Sequence, residues 1–221
     1  MAEFSRTLGR KGPSREEWIR ALEERHGAER QARFTDACVA ICGLGGLGSN
    51  VAVALTRAGV GKLILIDFDI VDISNLNRQQ YKASQIGKYK TEALSENLRE
   101  ISAYTELETY AVRLDEENIP EIMQDVDVIC EAFDEASEKS MLVNTILESV
   151  PETPVVCASG MAGFGSANAI RTAMLTDRLY LCGDGTSDIE DGSGLAASRV
   201  MACAAHEAHM ILRLLSGETE P

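Results

Sequence analysis

No run of eighteen apolar residues occurs in the 221-residue chain, and its opening segment, MAEFSRTLGRKG, lacks the apolar stretch of a secretory leader. Neither a membrane span nor export is therefore expected, and the chain reads as cytoplasmic. Cations are also scarce. Lys and Arg number 21 against 35 Asp and Glu, and the net charge of −14 repels a phosphate backbone, which argues against general nucleic-acid binding. Six cysteines are present, Cys38, Cys42, Cys130, Cys157, Cys182 and Cys203, yet no two have Cys-x-x-Cys spacing. That spacing builds structural zinc sites, so no zinc is expected. The scattering of these residues in a chain of this size also argues against a disulfide framework, and Cys42, Cys130 and Cys157 lie in apolar runs that read as buried. Histidine is limited to His26, His206 and His209; the last two, three apart, read as packing or solvent positions rather than a metal site.

What is present is a sizeable core, with 45% of residues apolar. Ser14 and Glu17 have capping-box spacing ahead of a segment carrying Trp18 and Leu22, so residues 1–35 are expected to form a helical N-terminal arm before one domain over 36–221. The run CVAIC, 38–42, precedes a glycine cluster, a helix from about 49 to 57 and a second apolar run, 63–66, that ends at Asp67. Further helices are expected over 90–101 and 139–147, with strands over 107–112, 126–130 and 154–157. Near-continuous apolar strands separated by helices imply an α/β fold, a Rossmann-like doubly wound, mostly parallel sheet with helices on both faces. Residues 165–182 read as strands with no helix between them, a short antiparallel C-terminal extension. The acidic, glycine-rich stretch 183–194 reads as a mobile loop, followed by a long alanine-rich helix over 195–215.

Gly43, Gly45 and Gly48 spell G-x-G-x-x-G between a strand and a helix, the arrangement that brings backbone N–H groups and a helix N-terminus to phosphates. Asp67, at the end of the next strand, is placed to bind a ribose. These features alone would suit a nicotinamide-dependent oxidoreductase. The continuation DFDIVDISNLNRQQ, 67–80, adds acids, an amide, an arginine and glutamines that a dehydrogenase does not need. GKYK, 87–90, supplies cations at the next helix start, and Asp134 follows the fourth strand in EAFDE.

With GLGGLGS, DFDIVDISNLNRQQ, GKYK and that aspartate in order, the sequence resembles the ThiF/MoeB/HesA family, bacterial relatives of the ubiquitin-activating enzymes, over roughly residues 31–215. The resemblance implies that Gly43, Gly45, Gly46 and Gly48 line a phosphate loop and that Asp67 binds the ribose of ATP. It implies that Asn75, Arg78, Gln79 and Lys90 surround the triphosphate and that Asp134 helps to hold Mg²⁺. The implied reaction is ATP-dependent adenylylation of the C-terminal glycine carboxylate of a ThiS-like ubiquitin-fold sulfur carrier protein, with release of pyrophosphate, in thiamine thiazole biosynthesis. Activation of another carrier, such as the small subunit of molybdopterin synthase, is the alternative within the family.

The chain also departs from the family pattern. The asparagine after the metal-site aspartate is Glu135 here, a later arginine is Lys139, and the cysteine pairs of the zinc site are missing. The family implies a homodimer in which an N-terminal arginine reaches the neighbouring site, and Arg15, Arg20 and Arg25 are candidates. Cys182 precedes the acidic loop where ThiF-like proteins place a sulfur-transfer cysteine. Its acidic neighbours Asp184, Asp188, Glu190 and Asp191 are expected to raise its pKa and disfavour the reactive thiolate.

Overall fold

The computed structural model describes residues 12–188 and 194–221. Two helices, α1 (Arg15–His26) and α2 (Ala28–Asp36), open the described chain. Ser14 and Glu17 form the reciprocal cap that their spacing predicts: the Ser14 hydroxyl accepts from the Glu17 N–H at 3.2 Å, and the Glu17 carboxylate accepts from the Ser14 N–H at 2.9 Å. Gly27 separates the two helices at φ 84°, a left-handed value open to glycine. Gln31, on α2, is fully buried and donates to the Gly59 carbonyl, which docks the arm on the domain.

The remaining elements alternate as the apolar runs predict: β1 (Cys38–Cys42), α3 (Gly46–Ala58), β2 (Lys62–Ile66), α4 (Lys90–Ile101), β3 (Glu106–Tyr110), α5 (Ile119–Ile122), β4 (Val128–Glu131), α6 (Ala136–Ser149) and β5 (Val155–Ala158). A hairpin follows, β6 (Arg171–Thr176) and β7 (Leu179–Gly183), and then α7 (Ala197–Leu215). The seven strands form one sheet in the order β3-β2-β1-β4-β5-β7-β6. Every pairing is parallel except that of β6 with β7, so the antiparallel extension amounts to one edge strand. The α/β, Rossmann-like architecture is thus as expected. Two differences are local. The helix expected from residue 49 starts at Gly46, because glycine's low helix propensity hides a first turn whose backbone is needed for other reasons. Strand β3 stops at Tyr110, two residues early, leaving Val112 in a loop at the sheet's end.

Alternation along the strands divides the core between two faces. Val39, Ile41, Val128 and Cys130 face α3, α4 and α7, whereas Ala40, Cys42 and Ile129 face α5 and α6. Full burial of a side chain such as Leu55, Leu94 or Ile211 contributes roughly 1.5–3 kcal/mol. Because β1 sits at the centre, with β2 on one side and β4 on the other, the chain reverses its winding direction there. A crevice opens at the carboxyl ends of those strands.

One polar group is out of place in this core. Glu207, on the inner face of α7, is fully buried; one carboxyl oxygen lies 3.9 Å from the Cys130 thiol and the other has no hydrogen-bond partner. Burial, reinforced by the Glu131 charge and opposed by Lys139, raises its pKa well above the ordinary carboxylate value. A raised carboxyl is protonated in the fold where the unfolded chain is ionised, so its contribution is present at low pH and lost as pH rises. Glu207→Gln, which keeps the shape without the ionisation, is expected to gain on the parent as pH rises above the ordinary carboxylate range. Thermal unfolding of both proteins across and above that range checks it; parallel stability curves would contradict the assignment.

Candidate nucleotide site

The glycine cluster bends the chain between β1 and α3 at the mouth of the crevice. Gly43 has φ 90°, and a Cβ there would meet the Ala132 carbonyl oxygen at 2.8 Å. Only glycine fits. Gly45 caps α3 without a side chain, so nothing from its own residue covers the helix's first N–H groups. Such a helix start attracts anions. Gly43, Gly45 and Gly46 line a cavity of about 350 Å³, together with Asp67, Asn75, Arg78, Gln79, Lys90 and Asp134. Gly48, expected in the same loop, is not among the lining residues. It sits in the first turn of α3, where a Cβ would stand 1.9 Å from the Gly43 carbonyl oxygen, so its role is to let helix and loop touch.

Asp67 directly follows β2 and is buried. Its two oxygens accept from the Leu44 N–H at 2.7 Å and the Asp69 N–H at 2.8 Å, which ties the glycine loop to the second strand. Lys90, the first residue of α4, is buried with its ammonium 2.7 Å from Asp69 and 3.6 Å from Asp67. The cation expected beside the triphosphate is therefore held by two carboxylates at the cavity wall. Asn75 caps a short turn by accepting from the Asp72 N–H at 2.9 Å. Arg78 follows. Its guanidinium donates to the Ser74 carbonyl at 3.0 Å and the Asn77 side chain at 2.8 Å, and its stem lies under Gly46. Burial pulls the Arg78 pKa down, and the charge of Asp134 opposes that pull across the cavity. Gln79 also lines the cavity and is buried, and its carbonyl oxygen has no hydrogen-bond partner. Lys139 also lines the cavity, clamped at 2.8 Å by both oxygens of the buried Glu131.

Two parts of the lining lie largely outside the motifs. Phe68 and Arg113 form one rim, with the guanidinium 5.2 Å from the ring centroid and ion-paired to Glu138. Across β4 from β1 and β2 lie Ser159, Gly160, Met161, Ala162 and Ser187, while Val200 stands against Gly46, where a Cβ would meet it at 2.9 Å. The alternation of apolar and polar residues after Cys157 is too short to announce them.

Cys182 is not in the cavity. It lies on β7, whose Tyr180 and Cys182 point into the core beneath α7, and it is fully buried. Its thiol meets the Thr172 hydroxyl at 3.5 Å. Burial, followed by the Glu207 charge, pushes its pKa up to about 12. The expected rise in pKa therefore has a different source: the acids assumed to cause it are not among its causes, and Glu190 and Asp191 lie outside the described residues. A thiol in this position is packed, and the geometry does not present it to a second substrate. All six cysteines are free, and among the described residues no group of three His, Cys, Asp or Glu is arranged to hold a metal ion. Nor, among the described residues, is any helix long and apolar enough to cross a membrane.

The model of the ThiF family matches residues 19–221. The chain belongs to the ThiF family. An adenylyltransferase and sulfurtransferase, uba4, from Aspergillus terreus is 36% identical over 136 residues, 61% of this chain and 28% of the relative. Ubiquitin-like modifier-activating enzyme 5 from Oryza sativa is 36% identical over 96 residues, 43% of this chain and 22% of that protein. The chain thus aligns with less than a third of either relative's length. Among solved structures, the E. coli tRNA N6-threonylcarbamoyladenosine dehydratase in complex with ATP superposes with a TM-score of 0.82 at 20% identity, covering 90% of this chain and 93% of that one. That likeness establishes a shared ThiF-type fold.

Proposed function

We propose that this ThiF-family protein uses ATP to adenylylate the C-terminal glycine carboxylate of a ThiS-like, ubiquitin-fold sulfur carrier, as a homodimer and in thiamine thiazole synthesis. One observation carries the reading: a single cavity joins an uncapped helix start, Arg78, Gln79 and the Asp134 carboxylate. A phosphate chain needs that combination of backbone donors and fixed cations. One relative is named an adenylyltransferase and sulfurtransferase and another a ubiquitin-like modifier-activating enzyme, and both names support the same chemistry. A nicotinamide-dependent oxidoreductase is the contrasting reading, and the Arg78, Lys90 and Asp134 cluster favours a triphosphate over it.

In this reaction a carboxylate oxygen attacks the α-phosphorus of ATP, and the bond from that phosphorus to the bridging oxygen breaks. Pyrophosphate leaves with the electron pair. The nucleophile is already ionised at neutral pH, so no general base is required, consistent with the absence of histidine from the lining. What the protein must supply is positive potential between two anions. The α3 N-terminus and Arg78 provide it, while Asp67 and Gln79 offer acceptors to the ribose and the polar edge of the nucleotide. Mg²⁺ takes most of its ligands from phosphates and water, so one exposed carboxylate beside a triphosphate suffices, and Asp134 would hold it. Bound there, Mg²⁺ would neutralise charge on the departing pyrophosphate. Arg15, Arg20 or Arg25 of a neighbouring copy would complete the field, and no structural zinc is part of the proposal.

The test is ATP–pyrophosphate exchange with a panel of purified carriers. Exchange that depends on a Gly-Gly-ended carrier, strongest with a ThiS-like one, is expected. Preference for a molybdopterin-synthase small subunit would reassign the carrier; hydride transfer from a nicotinamide with no exchange would refute the reaction class.

A further inference from the structure

Resting on the proposed reaction, we infer that Asp184 and Arg199 form a clasp that positions the wall of the acceptor-carboxylate end of the cavity. The nucleotide elements, from Gly43 to Lys90, occupy one end of that cavity. A second substrate would approach from beyond β4, where Ser159, Gly160, Met161, Ala162 and Ser187, which follow β5 and β7, form the wall, with Val200 between the two ends against Gly46. None of these residues belongs to a motif, and the wall is assembled from three separate stretches of chain.

Asp184 joins all three. One oxygen accepts from the N–H groups of Thr186 and Ser187, each at 2.8 Å, and the other accepts from the Ser187 hydroxyl at 2.8 Å and from the Arg199 guanidinium. Arg199 then donates its second terminal nitrogen to the Ser166 carbonyl at 2.7 Å. Backbone bonds run beside the pair. The Asp184 N–H donates to the Gly160 carbonyl at 2.9 Å, and the Gly185 N–H donates to the Ser159 carbonyl at 3.1 Å. The approach is so close that a Cβ on Gly160 would lie 2.2 Å from the Asp184 carboxylate.

The pair is placed where stability alone would not put it. Arg199 lies in the first turn of α7, the end at which a cation opposes the helix dipole, and α7 has no side-chain cap. Both side chains are at least nine-tenths buried, at 5% and 10% exposure, and burying two charges costs much of what their attraction returns. Burial alone would raise the Asp184 pKa, yet the hydrogen bonds from Ser187 and Thr186 hold it well below the usual range. The carboxylate therefore stays charged and the clasp closed at any working pH. What such a pair does supply is a fixed angle between the segment at 159–166, the turn at 184–187 and α7. Val200, the next residue on α7, lies on the cavity wall. Neither Asp184 nor Arg199 lines the cavity itself, so both are positioning residues.

The separation of the two ends makes the inference testable. Asp184→Asn keeps the size and loses the charge; Arg199→Lys keeps the charge but cannot hold both partners with a planar fork. Each variant is expected to raise the KM for a purified Gly-Gly-ended carrier by about tenfold in ATP–pyrophosphate exchange. The Kd for ATP without carrier is expected to stay within about threefold of the parent. Deuterium uptake should rise at 159–166 and not at 43–48. Equal shifts for ATP and carrier, or an unchanged carrier KM, would overturn the clasp. If the parent binds ATP but shows no exchange with any carrier, the functional reading fails instead. Unchanged uptake at 159–166 in Asp184→Asn would then overturn the clasp on its own terms.

Discussion

Arg78→Ala is expected to slow carrier-dependent ATP–pyrophosphate exchange by about 10²- to 10³-fold, roughly 3–4 kcal/mol of transition-state stabilisation, without abolishing folding. The guanidinium is held by a backbone carbonyl and the Asn77 side chain, so its direction is set before any substrate arrives. The nearest opposing carboxylate, Asp134, is exposed, and removing Arg78 strands no buried charge. Lys90 offers a less clean experiment. Its ammonium neutralises Asp69 and the buried Asp67, and Lys90→Ala would destabilise the loop that Asp67 anchors as well as alter the field. Exchange at saturating Mg-ATP, with far-ultraviolet dichroism as the folding control, decides the matter. A folded Arg78→Ala protein with near-parental exchange would refute the electrostatic role.

The second large effect belongs to Gly48. A methyl group there would stand 1.9 Å from the Gly43 carbonyl oxygen, and the obstacle is backbone that no rotamer change can move. Gly48→Ala is expected to lose about 3 kcal/mol or more of stability, at or beyond the upper end of ordinary overpacking. Gly45→Ala provides the contrast, because its nearest neighbour would be the Gln79 amide at 3.9 Å, and stability should change little. Urea unfolding of the two variants measures the difference. Equal midpoints would mean that α3 can shift away from the loop at small cost.

Those two glycines show what a sequence can and cannot disclose. Their spacing after an apolar run announces a phosphate-type turn, and the residues of 67–80 and 87–90 mark the nucleotide end of the site because each is a polar residue where a loop begins. The division of labour among the glycines was not legible, since it depends on a distance between helix and loop. The acceptor end was hidden for a different reason. Its wall is built of Ser, Gly, Met, Ala and Val, residues with no chemistry to advertise, brought together by elements distant in sequence. Arg199 and Glu207 were hidden by their helix. On an alanine-rich amphipathic segment a charged residue is ordinarily read as solvent-facing, and both are buried. Cys182 reversed the same error: proximity in sequence to an acidic loop suggested access, whereas strand alternation, with Tyr180 and Cys182 turned inward, sets its surroundings.

The central position of β1 also bears on how the protein reaches its working state. The glycine loop is continuous with β1, but β1 is completed on one side only when β4 arrives from far along the chain, after α4, β3 and α5 have been made. Contacts of such long range form late, because the closure entropy of the intervening loop is lost before the contacts reward it. A partly folded chain therefore has the first half of the nucleotide site without Asp134 to face it. Any ligand that bridges the two halves binds the native state alone, and it draws the folding equilibrium forward in proportion to its concentration over its Kd.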